Sequence, residues 1–438
     1  MSSNSLPLHY SGKYQGSFAY LTIKDRLPVI LVKVVDSLCR DKAAIGNLHG
    51  ELAKEEVKEI IGRLSCLQNE MVTNKLIKPL SCISEDTESW NNYLKKQEET
   101  CDYAPAWFDS PWLYVECYLY RRMKEAFELS SVLKDYDYFR KQKEEAFLQS
   151  MDAVVLLCSE LNQTVSSIQK SNENELYNYF RHYLEISLWG NKWDLSISAG
   201  KESVQQPNPL NQLKEWRRDI LVNHTETVWQ ILQEAKSTTK EVQIDFILDN
   251  AAFELFCDFC FLHFLDSCGI VNKVRLHVKR MPWFVSDTLY SDIKWFLEIL
   301  SQSSQENLAK FGKEWTNKFF TKQWTIENNT FWTLPHDYSE MLDEDSKLYQ
   351  SLSKSDLLIF KGDLNYRKLT GDRQWSETTP FLTALNGFFP TSLVSLRAVK
   401  ADVIVGLEPG TSDNLSKLCE DWKFTGKYAV IQCHKCTN

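Results

Sequence analysis

The sequence predicts an α/β fold, with a helical N-terminal part followed by a parallel, doubly wound sheet that carries helices on both faces. Three observations predict it. Before residue 190 no stretch has the pattern of a strand, whereas apolar residues recur at helical spacing. From residue 242 the pattern changes: short apolar runs at 242–248, 273–279, 356–360, 403–407 and 428–433 alternate with helical stretches, an order that gives parallel strands and covering helices. At 438 residues the chain is also too long for one ordinary core. It is therefore expected to divide into a helical domain, residues 1–170, and an α/β core, residues 171–438.

The elements follow in order. Residues 1–15 are polar and read as a loose tail. Residues 18–40 read as a helix with Leu27, Ile30, Leu31, Val34, Val35 and Leu38 on one face, and Pro28 inside it predicts a start or kink. Helices are expected at 54–74, 88–99, 111–128, 136–169 and 173–188, the third opened by Ser110-Pro111. Gly190 reads as the C-cap that ends this run, and residues 196–213, rich in Ser, Gln, Asn and Pro, as a surface loop. Ile220-Leu221-Val222 feeds a helix at 223–235. The strand at 242–248 runs into a helix stopped by Gly269. The strand at 273–279 leads through a loop with Pro282 to a helix at 289–301. Residues 302–354 read as a polar, Trp-rich insertion, 361–372 as a loop, and 380–387 as a helix.

Composition excludes several classes. The net charge is −9 and no Lys/Arg-rich run occurs, which disfavours nucleic acid as the main ligand. No stretch approaches the length of uncharged apolar residues needed to span a membrane. Lys24, Asp25, Arg26 and Lys33 break the N-terminal apolar run, so it lacks the core of a signal peptide. The 12 cysteines are then expected to be reduced core thiols in a cytoplasmic or nuclear compartment, with the sequons at Asn162, Asn223, Asn328 and Asn414 unused. Cys257-x-x-Cys260 and Cys433-x-x-Cys436 have the spacing of zinc half-sites. The first lies in an apolar helix and the second at the C-terminal end, so both read as thiols without zinc. Dinucleotide, P-loop, nucleophile-elbow and HExxH motifs are all missing.

Three polar clusters follow three strands. Asp249-Asn250 ends the first, Asp287 follows the second, and Lys361-Gly362-Asp363-Leu364-Asn365-Tyr366-Arg367-Lys368 follows the third. In an open parallel sheet the carboxyl ends of the strands lie along one edge, where ligands bind. Asp249, Asn250 and Asp287 offer hard oxygen donors suited to a divalent cation, and the third cluster offers amides and cations suited to a phosphate. Each cluster also has a plainer reading. Asp249 or Asn250 would cap the helix that follows, Asp287 would cap the next, and residues 361–368 would be a solvated turn. Arg397 and Lys400 form an Arg-x-x-Lys that would either reach the same edge or sit in a solvated basic turn.

The chain resembles the damage-control phosphatase family, in particular its sugar-phosphate branch, which is also described as acidic-residue or protein-glutamate O-methyltransferases. The resemblance is carried by residues 17–26 (SFAYLTIKDR), 110–122 (SPWLYVECYLYRR), 186–196 (ISLWGNKWDLS), 247–254 (ILDNAAFE), 282–288 (PWFVSDT), 331–336 (FWTLPH) and 358–373 (LIFKGDLNYRKLTGDR). It implies a helical N-terminal domain on a Rossmann-like three-layer α/β/α core. It implies a divalent metal (Mn²⁺, Ni²⁺, Co²⁺ or Mg²⁺) held by Asp249, Asn250 and Asp287. Catalytic roles are implied for Asp249, Asp287 and Asp363, and substrate contacts for Asp249, Asn250, Glu254, Asp363, Leu364, Asn365, Tyr366, Arg367 and Lys400. Asn191 and Asp194 match a GNxxD element near the site. The branch's Arg-Thr-x-Lys signature reads Arg397-Ala398-Val399-Lys400 here, so one hydroxyl is missing. The implied activity is hydrolysis of small phosphorylated metabolites, such as fructose 1-phosphate and fructose 6-phosphate, by an attacking water or with Asp249 as nucleophile. The alternative is S-adenosyl-L-methionine-dependent methylation of protein glutamates. The residues themselves offer it no support, because no Gly-rich loop follows the first strand.

Overall fold

The computed structural model describes residues 5–100, 104–199, 209–239 and 241–436. Its centre is one seven-stranded sheet: β1 (Ile220–Asn223), β2 (Gln243–Ile247), β3 (Lys273–His277), β4 (Trp324–Glu327), β5 (Leu357–Lys361), β6 (Leu393–Ala398) and β7 (Ala429–His434). The spatial order is β1-β7-β6-β5-β2-β3-β4. Five strands from β4 to β6 are parallel, β7 runs antiparallel to β6, and β1 is parallel to β7.

Strand β2 is central, with Ile247 paired to His277 of β3 on one side and to Phe360 of β5 on the other. Its residues alternate between two apolar layers, as the period of two requires. Ile244, Phe246 and Leu248 join one buried cluster and Ile247 the other; Leu357 and Ile359 of β5 follow the first, Leu358 and Phe360 the second. The helices Leu27–His49, Glu51–Val72 and Trp112–Glu128 pack on one face, and Met151–Ser167, Glu173–Ala199 and Phe253–Ser267 on the other. The architecture is thus the expected three-layer α/β/α arrangement with a helical N-terminal region. Residues N-terminal to 170 contribute to both layers. No helix among the described residues is long and apolar enough to cross a membrane.

Several local expectations change. Residues 403–407 form no strand, because their backbone donors are taken elsewhere: Val405 N–H by the Tyr366 hydroxyl at 3.1 Å, and Gly406 and Leu407 N–H by Thr379 and Glu377 carbonyls at 2.8 Å. Residues 393–398, with Arg397 among them, supply β6 instead. The segment read as a polar insertion holds the amphipathic helix Glu306–Phe320 and the edge strand β4. The apolar feeder at 220–222 is β1. The expected loop at 361–372 is mostly the helix Gly362–Leu369. Gly190 caps nothing. The helix Glu173–Ala199 runs through it, and a Cβ there would stand 3.0 Å from Glu254 Cα, so the missing side chain lets two helices touch.

His263 shows how closed the second layer is. It lies on the helix Phe253–Ser267 with its ring 4.8 Å from Phe311, and burial, with Lys318 and Lys310 nearby, pushes its pKa down to about 3. The folded imidazole stays neutral while the unfolded one protonates near pH 6.5. Stability is therefore lost as pH falls through that value. Between pH 7 and pH 5, His263→Phe is expected to lose about 2 kcal/mol less stability than the parent in urea titrations. Equal losses would mean that the imidazole accepts a proton in place.

Candidate active site

Three strand ends converge. After β2 the chain passes through Leu248, Asp249 and Asn250 before the helix Phe253–Ser267. After β3 it loops back so that Asn250 and Asp287 form an antiparallel bridge, with Thr288 N–H on the Asp249 carbonyl and Ala251 N–H on the Ser286 carbonyl, both at 2.8 Å. After β5 it turns at Gly362 into the helix Gly362–Leu369. Each junction holds an unusual backbone. Ala252 has φ 62°, Phe284 43°, Val285 73° and Gly362 84°. For the three non-glycine residues this costs of order 1–3 kcal/mol each and persists only where the surroundings enforce it. The Phe284 ring is held by stacking on Tyr120 at 4.7 Å.

These loops line a cavity of about 790 Å³. Asp249, Glu254 and Asp287 crowd its floor. Burial raises the Asp249 pKa well above the carboxylate range, and the charges of Glu254 and Asp287 raise it further against Lys279 and Lys400. Burial likewise lifts Asp287 to about 6, opposed mainly by Lys279. Asn250 stands between them. Its amide donates to Asp249 Oδ2 and Glu254 Oε2, both at 2.8 Å, and its carbonyl accepts from Ser286 Oγ at 2.5 Å. Behind Glu254, the Lys361 ammonium lies 3.2 Å from its carboxylate and donates to Asp258 at 2.7 Å.

Eight of the expected site residues line the cavity: Asp249, Asn250, Glu254, Asp287, Asp363, Leu364, Arg367 and Lys400. Asn365 and Tyr366 do not. Successive helical residues lie about 100° apart, so 363, 364 and 367 share the cavity side while 365 and 366 turn away. Asn365 instead accepts from the Tyr338 hydroxyl at 2.5 Å and donates to the Lys361 carbonyl at 2.7 Å. Tyr366 donates to Gln432 at 2.8 Å. Arg367 reaches the wall, but its guanidinium is taken by Asp372 at 3.0 Å and Glu116 at 2.7 Å and sits 3.8 Å over the Trp112 ring. Asp363 accepts from Arg397 Nε at 2.8 Å and from Lys400 N–H at 3.1 Å. Although burial pushes its pKa up, Arg397 and Arg367 hold it below the usual carboxylate range. Lys400 Nζ donates to Asn191 Oδ1 at 2.6 Å. The Asp194 side chain lies outside the described residues.

The plainer readings are resolved by geometry. The helix Phe253–Ser267 takes no side-chain cap, so Asp249 and Asn250 are not its caps. The helix after Asp287 begins at Tyr290, and Asp292 receives the Leu289 N–H at 2.8 Å, so Asp287 is not its cap. Residues 361–368 are largely buried, and Arg397 is fully so; neither is a solvated turn. Sequence reasoning missed Lys279, whose ammonium sits 3.2 Å from Asp287 Oδ2 and donates to the Leu248 carbonyl at 3.0 Å. Its place two residues beyond β3, in line with Asp249 in the register of the two strands, was the available signal. It also gave no role to Asp25 and Arg26.

The donor set fits a divalent cation. Two carboxylates and an amide oxygen are hard ligands, the carboxylates repel one another, and the buried Asp287 Oδ2 has no aligned hydrogen bond. In the present rotamer the Asn250 carbonyl faces Ser286; a flip of the amide would turn it inward and leave Ser286 Oγ to accept. Among the described residues no group of three or more His, Cys, Asp or Glu has metal-binding geometry. The set here has only two such residues plus the amide. Cys257 and Cys260 are buried among the apolar side chains of their helix.

The damage-control phosphatase ARMT1-like domain is matched over residues 22–415. A curated protein named damage-control phosphatase ARMT1 from Xenopus tropicalis is 44% identical over 432 residues, covering 97% of this chain and 98% of that protein. The protein of that name from Homo sapiens is 42% identical over 433 residues, covering 98% of each. Among solved structures, a DUF89 family protein from Pyrococcus horikoshii overlaps 80% of this chain and 90% of that chain, with a TM-score of 0.40 and 12% identity.

Gly362 tests how tightly the floor is built. A Cβ there would fall 1.9 Å from Asp249 Oδ2, whereas Gly387, also at positive φ, has nothing within 4 Å. Gly387→Ala is expected to cost about 1 kcal/mol in urea unfolding, the left-handed penalty alone. Gly362→Ala should cost roughly 2 kcal/mol more, because Asp249 must move. Equal losses would show that the carboxylate has room.

Proposed function

Because the chain belongs to the ARMT1-like damage-control phosphatase family, we propose that this cavity hydrolyses small phosphorylated metabolites with the help of a divalent cation. The substrates proposed are hexose phosphates such as fructose 1-phosphate and fructose 6-phosphate. The observation that carries this reading is the convergence of three carboxylates, the part-buried Asp249 and the buried Glu254 and Asp287, beside the start of the helix Gly362–Leu369, in a cavity of small-molecule size. In this division of labour, residues 171–438 carry the cation ligands and residues 1–170 wall the cavity.

Asp249, Asn250 and Asp287 would hold the cation. When bound, it would supply Lewis acidity and offset the charge of the phosphoryl oxygens. The chain's own groups do the rest. Lys279 holds Asp287, and Lys361 holds Glu254 beside Asn250. The Lys400 ammonium, with one proton on Asn191, has donors left for phosphoryl oxygens. The amides at the start of the helix Gly362–Leu369 favour an anion at the same place. Asp363, kept ionised by Arg397, can accept a proton from water or from a substrate hydroxyl. The turn after β2 brings Asp249 and Asn250 and no glycine, which suits a cation and phosphate better than S-adenosyl-L-methionine.

Phosphate release from a sugar-phosphate panel with Mn²⁺, Co²⁺, Ni²⁺ or Mg²⁺ tests this reading. Asp249→Ala and Asp287→Ala are each expected to lower kcat at least about a hundredfold, and EDTA should abolish turnover until metal is restored. Undiminished turnover in either variant would sink the mechanism.

A further inference from the structure

The N-terminal helix is not regular. An α-helical turn, Phe18–Leu21, passes into a π-turn, Thr22–Arg26, and then into the α-helix Leu27–His49. Pro28 is the cause. It has no N–H for the Lys24 carbonyl, and its ring would collide with that oxygen in a regular helix. The chain opens instead, and Leu27 N–H bonds to the Thr22 carbonyl, five residues back. Such wide turns occur singly and often at functional sites. Ile23 and Leu27 are fully buried in the core and pin the turn from behind. Its other side, with Thr22, Asp25 and Arg26, lines the same cavity as Asp249 and Asp287.

Asp25 and Arg26 are exposed there, and neither side chain makes a hydrogen bond or ion pair among the described residues. The charged groups around the phosphoryl end differ. Arg367 is held by Asp372 and Glu116, Asp363 by Arg397, and Lys400 by Asn191. A cavity of about 790 Å³ also leaves much space that a phosphoryl group does not fill.

We infer that Asp25 and Arg26 form the specificity wall and read the uncharged, hydroxyl-bearing end of a phosphorylated polyol whose phosphoryl end lies at Asp249 and Asp287. A carboxylate accepts from hydroxyl protons and a guanidinium donates to hydroxyl oxygens. Side by side they offer hydroxyl groups both an acceptor and a donor. They therefore favour a polyhydroxylated tail. This inference rests on the phosphatase reading above.

The test uses the full chain with one divalent metal and compares fructose 1-phosphate with phenyl phosphate, whose tail has no hydroxyl. The ratio of their kcat/KM values is expected to fall about tenfold or more in Arg26→Gln and in Asp25→Asn, with the loss carried by KM for the sugar phosphate. A ratio within threefold of the parent in both variants would overturn the inference. A parent protein that turns over neither substrate would overturn the phosphatase reading, and this inference with it.

Discussion

Three carboxylates share one floor, two of them buried and one part-buried, and much of the structure around them answers that repulsion. Asp249, Asn250 and Glu254 come from one strand-to-helix junction, and Asp287 is brought beside them by the backbone bridge with Asn250. Without compensation, charges this close and this dry would not all remain ionised. Lysines arrive from three different strand ends: Lys279 beyond β3, Lys361 at the end of β5 and Lys400 beyond β6. Two reach the carboxylates directly, Lys279 at Asp287 and Lys361 at Glu254. A divalent cation would complete this balance.

Close packing behind the floor keeps the geometry fixed. Gly190 allows the helix Glu173–Ala199 to rest against Glu254 Cα, and Gly362 leaves room for the Asp249 carboxylate. These two glycines do different things. Gly362 needs its positive φ and the space, whereas Gly190 needs only the space, inside a regular helix. Behind Glu254 the contacts form a buried chain, from Asp258 through Lys361 to Glu254 and on to Asn250. Partly satisfied buried networks are costly, and here the network holds the Glu254 carboxylate in place at the site.

The N-terminal region also does more than cover the sheet. Trp112 and Glu116 of the helix Trp112–Glu128 line the cavity beside Arg367 and hold it in position, one by a cation–π contact and one by an ion pair. Pro28 opens the first helix where that helix lines the cavity. The site is thus built from both the sheet edge and the helices in front of it, and side chains distant in sequence are held together by tertiary packing alone.

By itself the sequence determined the α/β class, the strand-to-helix junction at Asp249-Asn250, and the three polar clusters along one sheet edge. Apolar period and strand-end placement are local properties, and they survive folding unchanged. The meeting of Asp249, Asn250 and Asp287 at one edge was legible for that reason, beside the plainer reading of each as a helix cap, and their ligand roles were implied by the family resemblance. Only the tertiary structure decided which cluster residues face the cavity. Helical rotation turns Asn365 and Tyr366 away, and Arg367 is consumed by Asp372 and Glu116. It also decided the antiparallel β7, the strand at 393–398 in place of one at 403–407, and the roles of Gly190 and Lys279. Each of these depends on a partner more than 15 residues away, which for Lys279 is the Leu248 carbonyl: a neighbouring strand, a facing helix, or a carbonyl at another strand end. No local pattern encodes such a partner.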